Sequence, residues 1–95
     1  MVARVTTFTA IPDKIPEIVA ALDDIRSQMA GVSGLVTSYT VWGEDGQGVV
    51  FTVYEDTASA EAAQPTVRSV WRGIADYFAA GPDAREFSTA EKIAG

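Results

Sequence analysis

The side chains best suited to chemistry in this sequence are aromatic. Trp71 and Phe78 recur at helical spacing among apolar residues, which favours packing, although an indole N–H can also donate to an oxygen of an aromatic ligand. Tyr77 lies about 240° around a regular helix from Trp71, so it is expected to pack or to flank a pocket near the helix end. Tyr39 and Tyr54 lie in predicted strands, where a phenol facing a helix can serve as an acid or hydrogen-bond donor. The candidate substrate-binding residues are Trp71, Tyr77, Tyr39 and Phe78.

Charged residues offer fewer candidates for a site. Arg4 stands inside a predicted strand, where it is expected to lie at an edge or pair with a carboxylate; the alternative is a pocket cation for an anionic substrate. The acidic pairs Asp23–Asp24, Glu44–Asp45 and Glu55–Asp56 lie on a helix, where neighbours point apart, or at turns. No third ligand is expected to join any pair, so no metal site is predicted.

Composition excludes several classes of function. The 95 residues include no cysteine and no histidine, which excludes disulfides, thiolate metal sites, histidine catalysis and histidine-ligated haem. The net charge of −6 disfavours binding to nucleic acid or to anionic lipid. Apolar residues make up 47% of the chain, but no run is long enough to span a membrane. A single domain spanning residues 1–95, soluble and cytoplasmic, is expected.

The N-terminal half predicts one helix and three strands. Residues Val2–Thr9 have strand composition, and apolar residues at helical spacing predict an amphipathic helix over Ile15–Met29. Leu35–Trp42 and Val49–Tyr54 are rich in β-branched and aromatic residues and flank a glycine-rich loop. They are expected to form an antiparallel hairpin.

The C-terminal half predicts an interrupted helix and a last strand. Asp56 is a cap candidate for a helix that Pro65 kinks or restarts. Apolar spacing then predicts a helix over Val67–Phe78 that ends near Gly81–Pro82, followed by a strand over Arg85–Ile93. The element order βαββαβ is that of the ferredoxin-like α+β fold, with an antiparallel sheet covered by helices on one face.

Both faces of the predicted strands carry apolar side chains. In the second strand, one face carries Leu35, Tyr39 and Val41 and the other carries Val36 and Trp42. A sheet with one solvated face should alternate between apolar and polar residues. The sequence therefore predicts a homodimer, in which two sheets pack face to face as a dimeric α+β barrel; the alternative is an ordinary scatter of surface apolar residues.

Two segments carry a family resemblance. Tyr54–Ala62 combines an aromatic strand end, an acidic turn and a helix opening rich in Ala and Glu, and Ala30–Leu35 is a short turn containing glycine. With the element order and the two apolar faces, these segments resemble the dimeric α/β barrel superfamily. Within it, the chain is most similar to antibiotic biosynthesis monooxygenase-like domains.

This resemblance implies a function. Some members are oxygenases that use no cofactor and hold polycyclic phenols or quinols between sheet and helices, in a pocket that includes a Trp and a Tyr six residues apart, the spacing of Trp71 and Tyr77. Val67 stands where those oxygenases have an amide. The expected function is a cofactor-independent monooxygenase that acts on a small phenol or quinol. The alternative is a non-catalytic module of the same fold, which binds a small ligand or serves in assembly.

Overall fold

The computed structural model describes residues 1–95. The main elements, in chain order, are β1 (Val2–Ala10), α1 (Ile15–Ala30), β2 (Leu35–Trp42), β3 (Gln47–Tyr54), α2 (Thr57–Ala62), α3 (Gln64–Ile74) and β4 (Phe78–Phe87). Short 3₁₀ turns occupy Pro12–Lys14 and Ala75–Tyr77.

The four strands form one antiparallel sheet in the order β2-β3-β1-β4. Both α1 and α3 contribute to a space above the same face of this sheet, and the two helices contact each other. This arrangement confirms the ferredoxin-like α+β fold predicted from the element order. None of the helices has both the length and the apolar composition that crossing a membrane requires.

The predicted break of the second helix is confirmed. Asp56 caps α2, because its carboxylate accepts a hydrogen bond from the Ser59 backbone N–H at 2.7 Å. Hydrogen bonds from Ser59 hold the pKa of Asp56 below its usual value. Pro65 lies in the first turn of α3, where its missing N–H leaves no helical hydrogen bond unmade.

The predicted C-terminal boundaries are wrong. The helix expected to reach Phe78 ends at Ile74, and the strand expected over Arg85–Ile93 is instead β4, Phe78–Phe87. Apolar spacing continues to Phe78 because its ring packs against Trp71 from the strand. The Gly81–Pro82 pair lies within β4, an edge strand, where a residue without an N–H is tolerated.

The two faces of the sheet differ in what covers them. The inner face packs under α1 and α3 and includes Arg4, Thr6 and Phe8 of β1, Ser38, Thr40 and Trp42 of β2, and Val50, Thr52 and Tyr54 of β3. The outer face carries the alternate residues. Four of its large apolar side chains are exposed, with Tyr39 at 69%, Val41 at 61%, Phe51 at 42% and Phe87 at 39%. Apolar side chains on both faces, as the strand composition predicts, are therefore observed.

Candidate functional site

A cavity of about 650 Å³ lies between the inner face and the two long helices. Amphipathic α1 supplies Ile18, Leu22 and Ile25 to its roof, and α3 supplies Val70 and Trp71. These residues face the sheet because they recur at helical spacing on one side of each helix. The volume is in the range of pockets that bind small molecules, and the walls are mostly apolar, as is typical of such pockets.

One end of the cavity is aromatic. The rings of Phe8, Trp71 and Phe78 form a cluster, with centroids 6.0 Å apart for Phe8 and Trp71 and 5.3 Å apart for each of the other two pairs. Tilted and edge contacts of this kind are favourable for aromatic pairs. Trp42 lines the same cavity from β2. A flat aromatic ligand would find complementary ring surfaces here.

The other end of the cavity is polar. Glu86, Arg4, Thr52 and Ser38 are cross-strand neighbours, and they form a single row across all four strands. Arg4 donates to the Glu86 carboxylate at 2.8 Å, and the Ser38 and Thr52 hydroxyls share a hydrogen bond of 2.8 Å. A row of polar side chains beneath apolar helices gives the cavity two chemically different ends.

Tyr54 lies next to this row and is fully buried, with 0% exposure. Its ring packs with Ala60 and Ala63 of the second-helix region. Its hydroxyl has no hydrogen-bond partner. Burial raises the pKa of Tyr54 above the ordinary value of 10.0, while the Arg4 charge opposes this shift and the Glu86 charge adds to it. A buried hydroxyl without a partner destabilises the ligand-free protein.

Replacing Tyr54 by phenylalanine is therefore expected to stabilise the ligand-free protein. The substitution keeps the ring packed against Ala60. It removes a polar atom that is buried away from water and makes no hydrogen bond in return. We expect a gain of about 1 kcal/mol in the free energy of unfolding, measured by urea denaturation near neutral pH. A loss of similar size would show that the hydroxyl has a partner in solution.

The same variant is expected to change the response to alkaline pH. Because the pKa of Tyr54 is raised in the folded protein, Tyr54 ionises more easily in the unfolded state. The wild-type protein therefore loses stability as the pH rises above 10.0 towards the folded-state pKa. Phenylalanine cannot ionise, so the stability gain of the variant should widen above that pH. Urea denaturation curves across the alkaline range measure this, and a constant difference would contradict it.

The four candidate residues predicted from the sequence lie in different places. Trp71 and Phe78 line the aromatic end of the cavity. Tyr39, on the edge strand β2, lines the rim of the cavity. It is the cross-strand neighbour of Phe51, however, and is mainly exposed on the outer face. Tyr77 does not line the cavity; its carbonyl accepts a hydrogen bond from the Ile11 N–H at 2.8 Å.

The polar row was only partly visible in the sequence. Of the alternatives for Arg4, the ion pair is observed, and β1 is an interior strand rather than an edge. Ser38, Thr52 and Glu86 were not predicted as site residues. Alternation along the hairpin strands places Ser38 on one face, but only the register between strands shows that all four residues meet. No three acidic side chains come close enough to hold a metal ion.

Comparisons with known proteins find similarity in structure alone. No family model matches the chain, and no curated protein matches its sequence. A candidate antibiotic biosynthesis monooxygenase from Caulobacter crescentus CB15 has a TM-score of 0.80 and 16% identity, over 95% of this chain and 90% of that one. A candidate antibiotic biosynthesis monooxygenase from Nitrosomonas europaea has a TM-score of 0.79 and 15% identity, over 96% of this chain and 100% of that one. The Rv0793 protein from Mycobacterium tuberculosis has a TM-score of 0.75 and 14% identity, over 98% of both chains.

These matches cover nearly the whole of each chain, so they compare complete folds. They confirm, at the level of the fold, the resemblance expected from the sequence. The chain shares its fold with structures described as antibiotic biosynthesis monooxygenases.

Proposed function

We propose that this protein is a homodimer that binds a small phenol or quinol in its cavity and promotes its oxidation by molecular oxygen without a cofactor. The observation that carries the proposal is the cavity, with the rings of Trp71 and Phe78 at one end and the polar row at the other. Two structural neighbours are named as antibiotic biosynthesis monooxygenases, and these names support a reaction with oxygen. The substrate supplies all the electrons, so the protein need supply only binding, orientation and exclusion of water.

The exposed outer face supports the dimer. Tyr39, Val41 and Phe51 are neighbours on this face, and each is at least 42% exposed in the single chain. Burying apolar surface contributes about 25 cal/mol per Å², so covering such side chains with a second sheet yields several kcal/mol. A second copy offers the matching apolar surface, because two-fold symmetry places the same residues on both sides.

The proposed reaction balances with no added reductant. For 1-naphthol, one O₂ converts the phenol to a naphthoquinone and one water: one oxygen atom forms the new carbonyl, and the other leaves as water with two hydrogens from the substrate. The apolar residues of α1 and α3 exclude water from the ring during this step. Trp71 and Phe78 orient the ring, and the desolvated site favours a close approach of O₂ to the activated carbon.

The test is oxygen consumption in the presence of 1-naphthol and 1,5-dihydroxynaphthalene. We expect quinone formation above the uncatalysed rate, with one O₂ consumed per quinone and no accumulation of hydrogen peroxide. Trp71→Phe should lower the rate, because it removes the indole N–H and part of the ring wall. Arg72→Gln, an exposed change at the neighbouring position, should leave it unchanged. Uncatalysed rates with every phenol would overturn the proposal.

A second candidate is a binding protein without catalysis. It is favoured by one specific observation: no carboxylate or imidazole lines the cavity, so no conventional general base faces the ligand. Saturable binding of naphthols, detected by quenching of tryptophan fluorescence and accompanied by no oxygen consumption, would support this candidate over the oxygenase.

A further inference from the structure

Arg4 and its ionic partner occupy different environments. The Arg4 side chain is 24% exposed and lines the cavity, whereas Glu86 is 58% exposed, lies on the edge strand β4 and does not line the cavity. The negative charge that compensates Arg4 therefore stands outside the cavity, towards solvent. Arg4, the positive member of the pair, faces the cavity.

Arg4 also retains unused hydrogen-bond donors. Its guanidinium makes one hydrogen bond, to Glu86, so its other N–H groups have no protein acceptor. Beside it, the Ser38 and Thr52 hydroxyls bond to each other, and whichever of the two accepts has its own proton free to donate. The buried Tyr54 hydroxyl is unpartnered as well. The free N–H groups of Arg4 and the free hydroxyl protons can all donate to one ligand oxygen, which is the composition of a site for an anionic oxygen.

The spacing between the two ends limits the shape of the ligand. Arg4 and Phe8 face the same side of β1 and are four residues apart, which corresponds to roughly 13 Å along a strand. The Phe8 ring in turn contacts Trp71 and Phe78. A molecule that reaches both ends is an elongated aromatic of about two fused or linked rings with an acidic oxygen at one end.

We propose that the row of Arg4, Thr52 and Ser38 is an oxyanion subsite that binds the ionised hydroxyl of an aromatic ligand, while the ligand rings lie against Trp71 and Phe78. This inference rests on the proposed function in one respect, that a phenol occupies the cavity. It adds the orientation of that phenol and the ionised form in which it binds. Glu86 is a positioning residue that holds the Arg4 guanidinium in place and moderates its charge.

Few other charged or titratable groups face Arg4. From β4 there is Glu86, from β3 there is the Tyr54 hydroxyl, and from α1 Arg26 lines the cavity while it pairs outward with Asp23 at 2.8 Å. No charged residue of α3 lines the cavity. The local charge therefore favours an anion, and Arg4 lies in the polar row itself.

The test uses 4-(4-nitrophenyl)phenol, a two-ring phenol whose anion absorbs at a longer wavelength than its neutral form. Its binding requires no reaction with oxygen. The methyl ether of the same compound cannot ionise and serves as the matched ligand. Titration of each ligand into the purified protein, followed by absorbance and by tryptophan fluorescence, gives both affinities and the pH at which the bound phenol ionises.

Substitutions of the two members of the ion pair are expected to have opposite effects on the affinity for the phenolate. Arg4→Gln should weaken binding of the phenolate at least tenfold, or about 1.4 kcal/mol, and raise the ionisation pH of the bound phenol, while the ether is barely affected. Glu86→Gln keeps an acceptor for Arg4 but removes the opposing charge, so phenolate binding should strengthen roughly threefold. Arg72→Gln, exposed on α3, is the control and should change neither ligand.

The outcomes separate this inference from the proposed function. If both ion-pair variants weaken the phenol and its ether equally, the pair is only structural and the oxyanion subsite is wrong, whether or not the protein consumes oxygen. If Arg4→Gln selectively loses the phenolate while no phenol is turned over, the subsite is correct and the oxygenase proposal fails.

Discussion

Replacing Phe51 by aspartate is expected to prevent formation of the proposed dimer and to leave the protein as monomers. Phe51 lies in β3, an interior strand, and its neighbours across the sheet are Val5 and Tyr39. It is 42% exposed on the outer face and thus stands near the middle of the surface that a second sheet would cover. A dimer of the variant would bury two carboxylates without partners, at a cost of several kcal/mol each.

The measurement is molar mass by light scattering at micromolar concentration, coupled to size exclusion. Val19→Asp is the matched control, because Val19 is similarly exposed at 48% but lies on α1, away from the sheet. The control should remain dimeric. A wild-type protein that is already monomeric and well folded under these conditions would contradict the dimer itself, and a dimeric Phe51→Asp protein would place the interface elsewhere.

Loss of the dimer is also expected to lower stability. In a dimer that dissociates on unfolding, the midpoint of denaturation rises with protein concentration, because mass action favours the associated state. The wild type should show this dependence and Phe51→Asp should not. Urea denaturation at two widely separated protein concentrations distinguishes the two cases.

The sequence was sufficient to predict the parts of the fold that depend on local pattern. The first three strands have a clear strand composition and α1 carries clear helical periodicity, and the boundaries of all four elements agree with the structure to within two residues. The apolar character of both sheet faces was equally visible, because side chains alternate along a strand and each strand can be examined alone. These features need no knowledge of which strands are neighbours.

The C-terminal region could not be predicted in the same way. Phe78 continues the apolar spacing of α3, so periodicity alone extends the helix to it, whereas its contacts with Phe8 and Trp71 are made from a strand. The apolar residue Ile93 favoured a strand near the C-terminus, but it is 98% exposed beyond the end of β4. Aromatic packing accompanies the start of β4 at Phe78, and its pairing with β1 ends at Phe87, opposite Ala3.

In the candidate site, too, the residues on a local pattern were predictable and those brought together by the sheet were not. Trp71 was recognisable as a candidate because large aromatic residues on an amphipathic helix face either a core or a ligand. The polar row was not recognisable, since Arg4 and Glu86 are far apart in sequence and become neighbours only through the β1–β4 register. Serine and threonine in strands are common, so Ser38 and Thr52 carried no signal until the sheet placed them beside a cation.

Replacing Gly48 by alanine is expected to destabilise the protein severely, although the change adds a single methyl group. Gly48 lies on the inner face of β3, with Phe8 on one side and Trp42 on the other as cross-strand neighbours. A Cβ atom there would overlap the tip of the Phe8 ring and the Val41 carbonyl oxygen, closer than Cβ atoms approach other groups in real structures. The absence of a side chain is what allows the Phe8 ring to cross β3.

Neither obstacle can move easily. The Phe8 ring is buried, 8% exposed, and is packed against Trp71 and Phe78, and the Val41 oxygen belongs to the backbone of the adjacent strand. Relief therefore requires displacing the aromatic cluster or separating β2 from β3. We expect a loss of about 3 kcal/mol, at the upper end of the cost of overpacking, with altered tryptophan fluorescence because Trp71 contacts the displaced ring.

Gly73→Ala is the matched control and should have the opposite sign. Gly73 lies in α3, where an added Cβ meets nothing within 4 Å. Alanine in a helix interior is favoured over glycine by about 0.5–1 kcal/mol, since it loses less backbone entropy on folding. Urea denaturation of both variants measures the contrast. If Gly48→Ala is as stable as the wild type, the Phe8 ring does not cross β3 at this position, and the aromatic wall of the cavity must be arranged differently.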